Sequence, residues 1–189
     1  MRIIAGEFRS RRLLAPATDA TRPVTDRVKQ SLFDILTPHL AGARVYDCFA
    51  GTGSMGLEAL SRGAAHVTFF EADHSAATLL RKNIATLGVQ DRSTVIDRDL
   101  FKWSEAPPPT EEIDLVFLDP PYRFLVERQE DLRRLASRLR LHLGADGIVV
   151  FRHDATDTLD LAPLIRVDQR EYGGMTIELL RSNRQGDQP

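Results

Sequence analysis

Apolar runs of strand length alternate with amphipathic helical segments over most of this chain of 189 residues. The strand-like runs occupy residues 44–49, 66–71, 93–97, 113–118 and 147–151, and the helical segments occupy residues 56–62, 75–87, 100–103 and 126–143. Strands that alternate with helices form βαβ units, so this order predicts a parallel sheet covered by helices. Residues 165–172 and 176–181 flank Gly173-Gly174 and predict a final antiparallel hairpin.

A different kind of segment precedes the alternation. Short runs at residues 2–5 and 8–14 flank Gly6 and predict a small hairpin or extended arm. Thr25 is a predicted N-cap for a helix that ends before Pro38. The predicted organisation is an N-terminal arm at residues 1–20, one α/β domain at residues 21–182 and a tail at residues 183–189.

Basic residues are concentrated at the N-terminus. Residues 1–30 contain seven Arg and Lys residues against three Asp and Glu residues, although the whole chain has a formal net charge of −2. Such asymmetry predicts a polyanionic partner. A solvated, arginine-rich surface is the alternative, because net charge governs association rather than fold.

The composition disfavours disulfide-rich, metal-binding and membrane proteins. A single cysteine cannot form an internal disulfide, and the five histidines show no metal-ligand spacing. The apolar runs are shorter than the ~18 residues of a membrane-spanning helix. The N-terminal apolar stretch is too short for a signal peptide, so we expect a cytoplasmic protein without a membrane partner.

A glycine-rich loop follows the first strand of the alternating region. Gly51, Gly53 and Gly56 match the pattern G-x-G-x-x-G, and Glu71 lies 20 residues after the first of them. This spacing is typical of dinucleotide-binding loops, in which the acidic residue binds a ribose hydroxyl. It excludes a P-loop, because no Gly-Lys-Ser/Thr follows. The loop alone leaves NAD and S-adenosylmethionine (SAM) as alternatives.

Two further acidic residues favour SAM. Asp47 would be poorly placed beside a pyrophosphate but well placed near the cationic methionine end of SAM, and Asp99 can accept a hydrogen bond from an adenine amine. Helix capping is the alternative role for either residue. The predicted cofactor-binding residues are Asp47, Phe49, Ala50, Gly51, Gly53, Ser54, Glu71, Ala72, Asp99 and Leu100.

The fourth strand ends in Asp119-Pro120-Pro121-Tyr122, the predicted catalytic residues. Two prolines fix φ and remove backbone donors, so the turn is rigid and presents carbonyl groups. Asp119 and the Pro120 carbonyl suit the two N–H groups of an exocyclic amine, and Tyr122 suits stacking on a base. A turn without chemistry is the alternative interpretation.

The sequence resembles the RsmD-type bacterial 16S rRNA guanine-N2 methyltransferases from Arg2 to about Arg181. The similarity is carried by residues 2–6, 22–29 and 47–62 and by Asp119-Pro120-Pro121-Tyr122. The glycine loop and the acidic turn are general to amino-methylating enzymes, whereas Arg-Pro-x-Thr-Asp-Arg narrows the choice. The chain departs from the family pattern at Ala5, Ser10 and Thr52.

The resemblance implies a Rossmann-like class I SAM-dependent methyltransferase fold. Its seven-stranded, mostly parallel sheet would end in an antiparallel hairpin, with a small β-hairpin at the N-terminus. The implied reaction methylates the N2 amine of one guanine in 16S rRNA on an assembling 30S subunit and releases S-adenosyl-L-homocysteine. The implied enzyme is a monomer and needs no metal.

An RNA substrate gives the basic arm a predicted role in binding phosphates. The predicted RNA-binding residues are Arg2, Arg9, Arg11, Arg12, Arg22, Thr25, Arg27 and Lys29. We expect a chain without residues 1–20 to bind SAM and to lose rRNA methylation. The open alternatives are another amino-methyltransferase such as a DNA adenine-N6 enzyme, an NAD(P)-dependent oxidoreductase, and a non-catalytic RNA-binding assembly factor.

Overall fold

The computed structural model describes residues 1–16, 25–105 and 110–183. It divides into two compact units, Met1–Leu100 and Phe101–Pro189. Predictions for residue 22 and for residues 184–189 lie outside the described residues.

The longer helices of the first unit begin and end close to the predicted residues. They are α1 (Asp26–Leu36), α2 (Ser54–Ser61) and α3 (His74–Leu87). Side-chain oxygens of Thr25 and Asp73 accept backbone hydrogen bonds in the first turns of α1 and α3, which satisfies N–H groups that have no partner within the helix. Gly88 ends α3 with a φ of 71°.

Three parallel strands form the sheet of the first unit, in the order β3-β2-β1. They are β1 (Arg44–Cys48), β2 (His66–Phe70) and β3 (Ser93–Ile96). Cys48 pairs with Phe70, and Phe70 pairs with Ile96, so the three strands end at the same edge. The loops that follow them therefore meet at that edge, where open α/β sheets bind ligands.

Four strands form the sheet of the second unit, in the order β4-β5-β7-β6. They are β4 (Ile113–Leu118), β5 (Leu143–Asp154), β6 (Leu164–Tyr172) and β7 (Met175–Ser182). The remaining helices are α4 (Leu100–Trp103), whose first residue is the last of the first unit, α5 (Phe124–Glu127) and α6 (Gln129–Arg140). Leu132, Leu135 and Leu139 of α6 are buried, as its helical periodicity predicts.

The strand directions confirm the predicted Rossmann-like α/β class. β4 and β5 are parallel, whereas β7 is antiparallel to both β5 and β6. Gly173 and Gly174 join β6 to β7 with φ values of 53° and 87°. Both values lie in the left-handed region that a two-residue hairpin turn requires, so this predicted hairpin is confirmed.

The helix predicted over residues 126–143 is divided and ends earlier. Arg128 leaves the helical region with φ −135° and ψ 36°, and it separates α5 from α6. Leu143 then pairs with Ile113 of β4, and this pairing marks the start of β5. Gly144, the residue directly after the predicted helix, lies within β5, because pairing with β4 draws these residues into the sheet.

The N-terminal arm forms one antiparallel bridge, between Arg2 and Arg12, rather than two regular strands. The backbone N–H groups of Ile4 and Ala5 donate to the Glu58 carboxylate on α2 at 2.8 and 3.0 Å. Backbone bonds also cross the arm itself: the Ile3 N–H donates to the Arg11 carbonyl at 2.9 Å, and the Leu13 N–H donates to the Met1 carbonyl at 3.1 Å. The predicted small hairpin is therefore present in a short, irregular form, and Glu58 binds the backbone donors that it leaves over.

None of the helices that the structure describes combines the length and the apolar character needed to cross a membrane.

Candidate functional site

The glycine loop after β1 adopts left-handed backbone conformations. Phe49, Gly51 and Gly53 have φ values of 62°, 56° and 87°. A Cβ atom on Gly53 would lie 2.4 Å from Leu80 Cδ1, so a side chain there would also force Leu80 to move. At Gly51 no described atom lies within 4 Å of the Cβ position, so its backbone faces open space. The loop is therefore fixed by packing at Gly53 and accessible at Gly51.

Asp47 fixes the start of α2. It is 2% exposed, and its Oδ2 accepts a hydrogen bond from the Gly56 backbone N–H at 2.8 Å. A Cβ atom on Gly56 would lie 2.9 Å from that oxygen and 2.3 Å from Phe69 Cε1. The third glycine thus permits close packing of α2 against the sheet, and Asp47 supports the loop from inside the protein. Its contact with a cofactor stays a prediction.

Glu71 lies against the loop, as its spacing from Gly51 predicts. Its Oε2 accepts a hydrogen bond from the Gly51 backbone N–H at 2.7 Å, and its Oε1 accepts one from the Asp73 N–H at 2.7 Å. Burial raises the pKa of Glu71, and these backbone N–H groups oppose that rise only in part. Each carboxylate oxygen has a second lone pair, so Glu71 can still accept a ribose hydroxyl.

The other predicted cofactor residues lie in the loops after β2 and β3. Ala72 is exposed directly after Glu71, Asp99 is half-buried between β3 and α4, and Leu100 is buried. The sheet register brings these loops to the same edge as the glycine loop. The adenine contact of Asp99 stays a prediction.

In the second unit, the Asp119 carboxylate forms an ion pair with Arg152. Arg152 Nε donates to Asp119 Oδ1 at 2.7 Å, and Arg152 Nη2 donates to Oδ2 at 2.5 Å. Burial alone would lower the pKa of Arg152, but the Asp119 charge and hydrogen bonds outweigh it and raise this pKa. The Asp119 carboxylate is therefore held in a fixed orientation.

Strand register explains why Asp119 and Arg152 meet. β4 and β5 are parallel, and Leu118 pairs with Phe151. The next residues along the two strands are Asp119 and Arg152, which therefore lie side by side. Arg152 is absent from the residues that the sequence predicts for the site. Its one signal is a charged residue directly after the apolar run 148–151.

Prolines and an aromatic ring complete the acidic turn. Pro120 is buried, and Pro121 and Tyr122 are partly exposed. The Arg152 guanidinium carbon lies 5.9 Å from the centre of the Tyr122 ring. The turn therefore offers an oriented carboxylate and a partly exposed ring, which together suit recognition of a flat amine.

Most predicted RNA-binding residues are exposed. Arg9, Arg11, Arg12 and Arg27 form no ion pair with a described residue. Arg2 pairs with Asp26 at 2.7 Å, with both side chains about half exposed, and Thr25 is exposed at the N-terminus of α1. Arg22 lies outside the described residues. The exposed arginines make the arm a strongly cationic surface.

Lys29 has a structural role instead of the predicted RNA contact. Its side chain is 2% exposed, and its Nζ lies 3.0 Å from Oε2 of Glu58, which is fully buried. Lys29 Nζ also donates to the Arg2 carbonyl at 3.0 Å and to the Ser54 carbonyl at 3.1 Å. The ammonium group therefore faces the protein and ties the arm to α2.

Asn83 is a second buried link that the sequence does not predict. Its Oδ1 accepts a hydrogen bond from the Leu14 N–H at 2.8 Å, and its Nδ2 donates to the Thr52 carbonyl at 3.0 Å. Residues 1–14 are thus bonded to the loop and to α2. We now expect removal of residues 1–20 to disturb the loop as well, because it would strip partners from Asn83 and Glu58. A polar residue on a helix gives no sequence signal for such a role.

Among the residues that the structure describes, no group of three or more His, Cys, Asp and Glu side chains could hold a metal ion.

Comparison with known proteins gives consistent matches over nearly the whole chain. The family model described as conserved hypothetical protein 95 matches residues 1–181. Ribosomal RNA small subunit methyltransferase D of Haemophilus influenzae is 42% identical over 130 residues, which cover 68% of this chain and 67% of that protein. A candidate rRNA methyltransferase of Bacillus subtilis is 35% identical over 176 residues, which cover 92% of this chain and 94% of that protein.

A solved structure shares the whole fold. A candidate methyltransferase from Escherichia coli superposes with a TM-score of 0.82 and 31% sequence identity. The match covers 98% of this chain and 99% of that chain. The fold of each unit is therefore also present in that Escherichia coli protein.

Proposed function

We propose a reaction for this chain on one established premise: it belongs to the RsmD-type family. The model of that family is the one described above as conserved hypothetical protein 95, which matches residues 1–181. The chain is an rRNA methyltransferase that transfers the methyl group of SAM to the N2 amine of one guanine in 16S rRNA. It acts as a cytoplasmic monomer on an assembling 30S subunit. The names of its relatives support rRNA as the substrate, and the acidic turn supports an exocyclic amine as the group that accepts the methyl.

The orientation of Asp119 is the observation that carries this proposal. The carboxylate lies at the end of β4 in a rigid turn, and Arg152 fixes both of its oxygens. A fixed carboxylate beside a proline carbonyl and an aromatic ring suits an amine on a flat base. A hydride-transfer enzyme would have no use for this set of groups.

The glycine loop fits SAM. The open space at Gly51 leaves room for a ligand against the backbone, and Glu71 has acceptor capacity for a ribose hydroxyl. SAM supplies an electrophilic methyl group. Phe49, Ala50, Gly53, Ser54 and Asp47 form the loop and its support, while Ala72, Asp99 and Leu100 flank the adenosine side.

The acidic turn prepares the amine. The lone pair of a guanine N2 nitrogen is delocalised into the ring, which makes the nitrogen a weak nucleophile. Asp119 accepts one N–H group and the Pro120 carbonyl accepts the other, so the lone pair is directed at the methyl carbon. With SAM bound, a nitrogen–carbon bond would form as the sulfur–carbon bond breaks, S-adenosyl-L-homocysteine would leave, and the nitrogen would then lose its proton to water. Positioning dominates such a displacement.

Tyr122 stacks on the guanine base after the base has been extruded from the RNA. An unpaired guanine costs less to extrude than a paired one, so a hairpin loop is the favoured target.

A transfer assay tests the proposal directly. The purified chain is incubated with labelled SAM and 30S particles from cells that lack the corresponding gene, and the modified nucleotide is mapped by mass spectrometry. We expect one labelled N2-methylguanine in 16S rRNA. Label on adenine N6 of a DNA duplex would indicate the alternative amino-methyltransferase. RNA binding without any transfer would indicate an assembly factor.

Glu71→Ala should weaken SAM binding about 10- to 100-fold, because it removes a charged acceptor and the anchor of the Gly51 N–H. Titration calorimetry with SAM measures the change. Asp91→Ala, which alters an exposed residue of the same unit, is the matched control and should leave the affinity unchanged. Equal SAM affinity of Glu71→Ala and the control would remove Glu71 from the proposed cofactor site.

Arg9→Gln/Arg11→Gln should weaken binding of a 16S rRNA fragment and make it less sensitive to salt. Each lost phosphate contact lowers the slope of log K against log salt concentration by about 0.7 to 0.9. Filter binding at several salt concentrations measures the slope.

Arg134→Gln/Arg138→Gln removes the same charge from the exposed side of α6 and is the control. If the slope of log K against log salt concentration falls equally in both double variants, the arm is not the specific contact surface.

A further inference from the structure

Arg152 approaches Asp119 side-on and directs two of its five N–H donors at it. Nε and Nη2 each bond a different carboxylate oxygen, at 2.7 and 2.5 Å. The Arg152 and Asp119 side chains are only 13% and 22% exposed. Such bidentate geometry fixes the plane of the carboxylate as well as its position.

The ion pair lies at the end of a buried strand. Val149, Val150 and Phe151, which precede Arg152 on β5, are at most 3% exposed. A cation at the end of this apolar run loses hydration, and it is tolerated because Asp119 neutralises it. The pair is therefore mutually dependent, and removal of either charge leaves the other poorly solvated.

The geometry of its lone pairs leaves Asp119 able to accept further hydrogen bonds. Each carboxylate oxygen has two acceptor positions, and Arg152 occupies one on each oxygen. The remaining positions face away from the guanidinium, so Arg152 determines where Asp119 can accept an amine N–H. Its guanidinium carbon also lies 5.9 Å from the centre of the Tyr122 ring, within the range of a cation–π contact.

We propose that Arg152 is a positioning residue for methyl transfer, which fixes the acceptor direction of Asp119 and supports the Tyr122 ring. This inference rests on the proposed function. It assigns to Arg152 no contact with the substrate. Its effect on the rate passes through Asp119, and this separates it from an ion pair that only stabilises the fold.

A double-mutant cycle tests the proposal in the full-length chain. The transfer assay on 30S particles is run with wild type, Arg152→Gln, Asp119→Asn and the double variant, and kcat is compared with KM for SAM. We expect Arg152→Gln to lower kcat on the order of 10²-fold, because a misaligned acceptor costs about that much. KM for SAM should not change. When Asp119→Asn is already present, Arg152→Gln should change kcat by less than about threefold.

Arg152→Lys is the second variant. It keeps the charge but loses the two-pronged geometry, so its kcat should fall between those of wild type and Arg152→Gln. It also provides a readout if Arg152→Gln does not fold, which circular dichroism and thermal unfolding will show. Arg134→Gln on α6 is the matched control for loss of an exposed arginine.

The outcomes separate this inference from the proposed function. Wild type without transfer activity would overturn the proposed function and this inference with it. An active wild type with an unchanged kcat for Arg152→Gln or Arg152→Lys would overturn the inference alone. An equal loss of kcat with and without Asp119→Asn would also overturn it, because the effect would then not pass through Asp119.

Discussion

Asp119→Ala should lower kcat for methyl transfer by about 10²- to 10³-fold, the cost of removing one oriented group that stabilises a transition state. The substitution removes the acceptor for one amine N–H, while the Pro120 carbonyl and Tyr122 remain. SAM affinity should stay within about twofold, because the predicted cofactor residues lie on other loops. Single-turnover transfer to 30S particles and calorimetry with SAM measure the two quantities.

Two further variants make the Asp119 result interpretable. Asp119→Asn keeps an acceptor oxygen and should retain more activity than Asp119→Ala. Asp146→Ala, at an exposed position of β5, should behave as wild type. Thermal unfolding must accompany the assay, because loss of Asp119 leaves Arg152 without this charge partner at a largely buried position. Undiminished turnover by folded Asp119→Ala would refute the assigned role.

Lys29→Met should destabilise the protein by about 3 kcal/mol, near the lower end of the range for breaking a buried ion pair. The fully buried Glu58 would lose its partner at 3.0 Å and keep Arg62, whose Nε bonds the other carboxylate oxygen at 2.8 Å. For a chain of this size, such a change lowers Tm by roughly 6 to 12 °C. Chemical denaturation measures the free energy of unfolding.

Comparison with an exposed lysine completes this test. Lys82→Met on α3 removes the same charge from the surface and should change stability by less than about 0.5 kcal/mol. Lys29→Met/Glu58→Gln should recover part of the loss, because it removes the carboxylate charge that Lys29 would otherwise balance. Weaker RNA binding by Lys29→Met at unchanged stability would instead support the original prediction that Lys29 contacts RNA.

The glycine loop and its acidic partner could be predicted because their geometry is encoded locally. Left-handed backbone at Gly51 and Gly53 favours glycine, and the length of one βαβ unit fixes the spacing to Glu71. The strands were predictable for a similar reason, since a buried strand is a short apolar run wherever it occurs.

Other features depended on partners that the local pattern does not show. The predicted helix over residues 126–143 is interrupted at Arg128, and the sheet takes its last residues through the pairing of Leu143 with Ile113. The hairpin of the arm was predicted from its own runs and is present, but its attachment to α2 through the Glu58 carboxylate was not predicted. In the helix, tertiary pairing outweighs local propensity, and in the arm a distant side chain decides where the hairpin is attached.

The basic residues of the N-terminal region also show what the sequence predicts and what only packing decides. The sequence places seven basic residues in the first thirty, but it does not distinguish the exposed Arg9 from the buried Lys29. Only packing does so, because α1 presents Lys29 to Glu58 inside the first unit. Counting charges therefore predicts a cationic surface but not which residues form it.

By itself, the sequence determined the α/β class, the glycine loop, the acidic turn and the cationic arm, because short stretches of chain encode each of them. The tertiary structure alone decided which distant residues support these features. Asn83 reaches Leu14 across 69 positions, and Arg152 reaches Asp119 across 33. Strand register and helix packing set such pairs, and both arise from contacts between residues far apart in the sequence rather than from any local pattern.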